Sequence, residues 1–90
     1  MLTGTKKSGF KYEINESIFQ DMLFMEAMDE SNTNGFAFVK AAKRFFGDGE
    51  QLERLYEHVK REDGLILAED IGKVINEIAE ASEEGKKLSI

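Results

Sequence analysis

The sequence predicts an all-α fold: a small bundle of about four helices preceded by an extended N-terminal segment. Three observations support this class. The chain contains no proline, so no residue of that kind interrupts a helix. Apolar residues recur at the i, i+3, i+4, i+7 spacing of amphipathic helices. Clusters of Ser, Asn, Asp and Gly separate these periodic stretches, as expected for turns between helices.

The N-terminal part of the chain is predicted to be extended. Residues 1–9 are small, polar and glycine-containing, which indicates a flexible lead-in. Apolar and polar residues alternate over 10–14, which is the period of a half-buried strand. Because no second strand is evident, we expect this segment to lie across the helices or to pair with another copy of the chain.

The first two helices are predicted from their caps. Asn15 is a good N-cap for a first helix that runs to about Asp29. The polar stretch 31–35 ends it, and Asn34 is placed to cap a second helix over 36–46. Gly47 follows where a left-handed C-terminal cap is expected.

Two further helices complete the predicted bundle. Asp48, with Gln51 three residues later, has the spacing of a capping box that opens a third helix reaching about Arg61. The fourth helix covers about 68–81, although Leu67 is a poor cap. The third and fourth helices are expected to bury six apolar side chains: Leu55, Val59, Ile71, Val74, Ile75 and Ile78.

Length and composition bound the organisation and the function. Ninety residues suit one domain, which we place at 10–84, with 85–90 as a C-terminal tail. The net charge of -6 argues against binding nucleic acid through its phosphates. No apolar run exceeds four residues, so we expect no membrane span and no signal peptide, and the cytoplasm by default.

Few residues offer catalytic or metal-binding chemistry. The chain has no cysteine, and its single histidine, His58, lies beside the apolar stripe of the third helix, where a boundary residue is expected. The turn at 63–64 imitates part of a calcium loop, but the first and third ligand positions would fall on Val59 and Arg61, which offer no side-chain oxygen. We therefore expect a protein without catalytic residues, cofactor or metal.

The first helix carries more apolar residues than one buried side requires, since they sweep most of its circumference. Two explanations remain open. The helix is central and buried all round, or part of its surface serves a partner. In the second case the partner-binding residues on this helix are Phe19, Phe24, Met25 and Met28.

The second helix has a basic face in an otherwise acidic chain. Lys40, Lys43 and Arg44 lie on this face, and no acidic residue occurs over 36–46. These three residues are further candidates for partner binding. The alternative is that they pair with acidic side chains of the third and fourth helices.

Several stretches occur in a characteristic order: 10–14, an acidic-apolar helix with Asp21, Leu23 and Glu26, then 45–47, 50–52, 57–64 and 69–78. In combination they resemble the small tail assembly chaperones of long-tailed bacteriophages and prophages of Gram-positive bacteria. The resemblance covers about residues 10–80 and depends on order and spacing, not on any single motif. The chain departs from the family pattern in the polar insert 31–35 and at Leu67.

The resemblance implies a non-catalytic factor whose gene lies between the tail tube and tape measure genes. Proteins of this family keep the aggregation-prone tape measure protein soluble, recruit tail tube subunits and are absent from the finished virion. Many also have a longer form made by ribosomal frameshifting, for which the Gly-Lys-Lys stretch 85–87 lies at a suitable place. The implied partners are the tape measure and tail tube proteins in the bacterial host cytoplasm, with a homo-oligomer also considered. The alternative is another small acidic helical interaction module, an antitoxin or a regulator.

Overall fold

The computed structural model describes residues 2–5, 9–83 and 85. Within these residues the mostly helical class is confirmed, with a two-stranded sheet in addition. Of the predicted tail 85–90, only Gly85 lies among the described residues. The elements are β1 (Leu2–Thr5), β2 (Lys11–Ile14), a 3-10 helix (Glu16–Gln20), α1 (Met22–Glu30), α2 (Ala37–Phe46), α3 (Glu50–Val59) and α4 (Ala68–Glu80).

The N-terminal sheet corrects two expectations. β1 pairs antiparallel with β2, and Leu2 stands opposite Ile14. The prediction of a flexible lead-in is therefore wrong for 2–5, and the strand at 10–14 has a partner within the chain. A four-residue strand of mixed small and polar residues has no clear alternation, which is why the sequence pattern missed β1. The buried side chains of Phe10 and Ile14 attach the sheet to the helices.

The predicted first helix is two helices joined at an extended residue. Asn15 caps the 3-10 helix, and its side chain accepts a hydrogen bond from the backbone N–H of Ser17 at 3.0 Å. Asp21 has extended backbone, and its side chain accepts from the N–H of Phe24 at 2.9 Å to start α1. Asp21 is therefore a second N-cap, where the prediction assumed an interior position. This break lets both segments bury a phenylalanine, Phe19 from the first and Phe24 from the second.

The caps of α2 match the sequence prediction only in part, since the N-cap residue is Phe36, without a side-chain cap, and Gly47 combines a positive φ with an extended ψ of 151°. The Asn34 side chain accepts from the N–H of Phe36 at 3.1 Å, one residue before α2 begins. α2 ends before Gly47, whose φ of 84° is a positive value that glycine adopts without steric cost. The boundaries of α2 therefore follow from local sequence alone.

The predicted capping box at the start of α3 is wrong. Gln51 does not reach back to Asp48. Its side chain accepts from the N–H of Glu13 at 2.6 Å and donates to the carbonyl of Phe46 at 2.8 Å. Gln51 thus joins β2 to the end of α2, and α3 begins without a side-chain cap.

The apolar core of α3 and α4 is close to its prediction. Leu55, Ile71, Val74, Ile75 and Ile78 are buried, while Val59 is half-buried and packs against the cluster. Phenylalanine rings extend this core toward the N-terminus. The Phe45 ring contacts the rings of Phe19 and Phe24 at 5.5 Å between centroids, and Phe46 continues the contact to Phe10 at 6.4 Å. This chain of rings connects β2, the 3-10 helix, α1 and α2.

Candidate interaction surfaces

A groove with a volume of about 350 Å³ lies between α1 and α4. Met25 and Met28 line it from α1, and both side chains are half-buried. Ile75 and Ala79 line it from α4. Its lining is mostly apolar, and we call it the methionine groove.

The predicted partner-binding residues of the first helix divide into two groups. Met25 and Met28 are accessible along the methionine groove. Phe19 and Phe24 also touch the groove, but they are only 2% and 4% exposed and belong to the core. Their assignment to a partner surface is corrected, because both rings are buried in the core against Phe45. The broad apolar arc is therefore core at Phe19 and Phe24 and groove lining at Met25 and Met28, whose binding to a partner stays a prediction.

A second groove, of about 450 Å³, separates α1 from α2. The basic side chains of the predicted face, Lys40, Lys43 and Arg44, form the α2 side. Across from them stand two acidic side chains of α1, Glu26 and Glu30. Opposite charges therefore border the same groove.

Arg44, near the end of α2, binds Asp21, the residue before α1, so the two helices form an antiparallel hairpin. The Arg44 guanidinium donates from Nε and from Nη2 to the two carboxylate oxygens of Asp21. The distance from Nη2 to Oδ1 is 2.9 Å. The hydrogen bonds from Arg44 hold the pKa of Asp21 below its usual value, against a smaller opposing effect of desolvation, and they raise the pKa of Arg44. The predicted alternative, pairing with α3 and α4, is wrong for Arg44. Among the described residues, Lys40 and Lys43 make no ion pair.

Four exposed apolar side chains were not singled out by the sequence prediction. Met22 and Leu23 begin α1 and are 62% and 56% exposed. Phe36, directly before α2, is 86% exposed, and Val39 on α2 is 47% exposed. A signal for the second pair was present, because Phe36, Val39, Lys40 and Lys43 have the i, i+3, i+4, i+7 spacing of one helix face.

His58 and the turn at 63–64 behave as structural features. The His58 ring lies 5.6 Å from the Phe10 ring on the exposed side of α3. The turn is closed by hydrogen bonds from Gly64 N–H to the Arg61 carbonyl and from Arg61 N–H to the Leu65 carbonyl, both 2.9 Å. No three histidine or carboxylate side chains stand together as a metal site in the part of the chain that the structure describes. Within that same part, no helix has the length and apolar character needed to cross a membrane.

Comparison of the chain with protein-family models, with curated proteins and with solved structures found no match.

Proposed function

We propose that this chain is a non-catalytic tail assembly chaperone of a phage or prophage. In this role it keeps the tape measure protein soluble in the bacterial host cytoplasm and recruits tail tube subunits. The resemblance of residues 10–80 to that family leads to the proposal. The structural observation that supports it best is the methionine groove.

The methionine groove suits a partner that is recognised by apolar character. Met25 and Met28 are three residues apart on one side of α1, so their side chains are neighbours along the groove. Methionine is unbranched and polarizable, and it adapts to apolar surfaces of different shape. An apolar helix of the tape measure protein, laid between α1 and α4, would contact both methionines and Ala79.

The charge of the chain fits the same role. A net charge of -6 on a chain of this size opposes self-aggregation through electrostatic repulsion. A complex with an aggregation-prone partner would carry that charge as well. The apolar groove and the acidic surface together are the properties that a solubilising partner requires.

Co-expression with a tape measure fragment, encoded next to the gene of this chain, tests the proposal. We expect the wild-type chain to move the fragment into the soluble fraction and the variant Met25→Ser/Met28→Ser to lose this effect. Leu65→Ser is the matched control, because it replaces an exposed apolar side chain by serine outside the groove. Circular dichroism and thermal denaturation would verify that all variants are folded.

Each outcome of the co-expression decides a separate point. A fragment that stays insoluble with the wild-type chain would contradict the proposed function and leave the antitoxin or regulator alternative. A fragment solubilised equally by the wild type and the double variant would show that the methionine groove is not the binding surface. The neighbouring genes give an independent check, since a very long coiled-coil reading frame immediately downstream is expected.

A further inference from the structure

The outer face of the α1–α2 hairpin is unusually apolar for a solvent-exposed surface. Of the six large apolar side chains that are exposed in the described part of the chain, four belong to this hairpin: Met22 and Leu23 at the start of α1, and Phe36 and Val39 at the start of α2. Ile66 extends the face, since it lines a small cavity together with Val39. The two pairs stand at opposite ends of the hairpin, because its helices run antiparallel, and exposed apolar clusters are typical of interaction sites.

The same face has two halves of opposite charge. The ion pair of Asp21, before α1, with Arg44, near the end of α2, shows that the two helices run antiparallel side by side. The exposed charged side chains of α1 are all acidic: Glu26, Asp29 and Glu30. Those of α2 are all basic: Lys40, Lys43 and Arg44.

We infer that this outer face is where two copies of the chain associate as a two-fold symmetric dimer. Around a two-fold axis a surface meets itself, so the surface has to be complementary to its own rotated image. Two such faces can be placed so that α1 of each copy lies against α2 of the other. The acidic half then meets the basic half twice, and the apolar residues Met22, Leu23, Phe36 and Val39 lie between the copies.

The arrangement of charge favours a second copy over a partner of another kind. An acidic partner would be attracted by Lys40 and Lys43 but repelled by Glu26 and Glu30. A basic partner would be attracted by the two glutamates but repelled by the two lysines. Only a surface that carries both signs side by side matches both halves. A second copy of this chain carries that surface by definition.

The size of the face predicts a weak dimer. Each helix of nine or ten residues is about 15 Å long, and two helices side by side are about 20 Å wide. This footprint is smaller than the roughly 800 Å² per partner of a standard interface. We therefore expect association at about micromolar concentrations or higher. The inference is independent of the proposed function, because no residue of the proposed dimer face lines the methionine groove.

Sedimentation velocity over a concentration series, with reciprocal charge reversals, tests the dimer. Lys40→Glu/Lys43→Glu makes both halves of the face acidic, and Glu26→Lys/Glu30→Lys makes both halves basic. We expect each variant alone to associate at least about tenfold more weakly than the wild type, because like charges then meet twice. An equimolar mixture should recover the dimer, because the acidic face of one variant matches the basic face of the other.

Two further variants separate this surface from a general charge effect. Glu53→Lys/Glu57→Lys changes the same residue types at the same spacing on the exposed side of α3, and it should dimerise like the wild type. Phe36→Ser should weaken the dimer without lowering the thermal midpoint of the monomer, because Phe36 is 86% exposed. A wild type that stays monomeric through the series, or a folded mixture of the two charge variants that does not dimerise, would overturn the inference.

Discussion

At the scale of single residues, three polar side chains join elements that are distant along the chain. Asp21 caps α1 and binds Arg44, 23 residues further on. Ser82 is buried, and its hydroxyl donates to a Glu16 carboxylate oxygen at 2.6 Å across a separation of 66 residues. Gln51 connects β2 with α2. The residue types were visible in the sequence, but their partners were not, because side-chain pairing at such separation depends on the fold.

The Asp21–Arg44 ion pair predicts a pH dependence of stability. Asp21→Asn keeps an oxygen that can cap α1 but removes the charge, so it isolates the ion pair. Because folding lowers the pKa of Asp21, its charge stabilises the fold above the ordinary value of 3.8, and the effect is lost as the pH falls through the lowered pKa. We expect urea denaturation to show that the variant has a lower free energy of unfolding than the wild type at neutral pH. At a pH below the lowered pKa of Asp21, the two proteins should be equally stable. An equal difference at all pH values would contradict this.

The hydrogen bond of Ser82 predicts a measurable loss of stability. Ser82→Ala removes a buried donor to a carboxylate and should lower the free energy of unfolding by about 1–3 kcal/mol. Ser17→Ala is the matched control, because the Ser17 side chain is exposed, and it should stay within about 0.5 kcal/mol. Chemical denaturation of both variants measures the difference. Equal stability of the two would show that Ser82 does not hold the 3-10 helix to the end of α4.

At the scale of elements, the predicted helix bounds were right where the local sequence alone sets them. They were wrong where a residue suits two different positions in a helix. α2 and α4 begin and end within about one residue of their predicted bounds, because apolar spacing, Asn34 and Gly47 act locally. The first helix was wrong at Asp21, a residue that is tolerated inside a helix and preferred at its start. β1 was missed because a short polar strand depends on its partner strand for stability.

The apolar face of α4 predicts the largest effect of a single substitution. Ile75→Ala leaves a cavity among buried side chains and should lower the free energy of unfolding by about 2–5 kcal/mol. In a domain of this size such a loss can abolish folding. Asn76→Ala, at the neighbouring exposed position, should change stability by less than about 0.5 kcal/mol. Thermal denaturation of both variants checks the assignment, and an unchanged midpoint for Ile75→Ala would contradict it.

At the scale of the whole molecule, α1 separates two surfaces of different character. The methionine groove lies toward α4. The groove bordered by Glu26, Glu30, Lys40 and Lys43 lies between α1 and α2, on the side of the outer face. Composition and periodicity predicted that α1 is too apolar for a helix with one buried side. They could not predict which residues stay accessible, because the rotation of α1 against its neighbours depends on tertiary contacts such as those of Phe24 with Phe45. Lys40 and Lys43 were predicted as partner-binding residues from their sign alone, and the structure places them beside the groove between α1 and α2.

The central claim is that the methionine groove receives an apolar segment of the tape measure protein. The methionine methyl groups of α1 allow a direct test of this claim. Met22, Met25 and Met28 lie on one helix, and two of them line the groove. Methyl NMR of methionine-labelled protein, titrated with a tape measure fragment, reads each position separately. We predict that the methyl signals of Met25 and Met28 shift as the fragment binds, while that of Met22 stays in place. Binding that shifts Met22 and leaves Met25 and Met28 unchanged would contradict the claim.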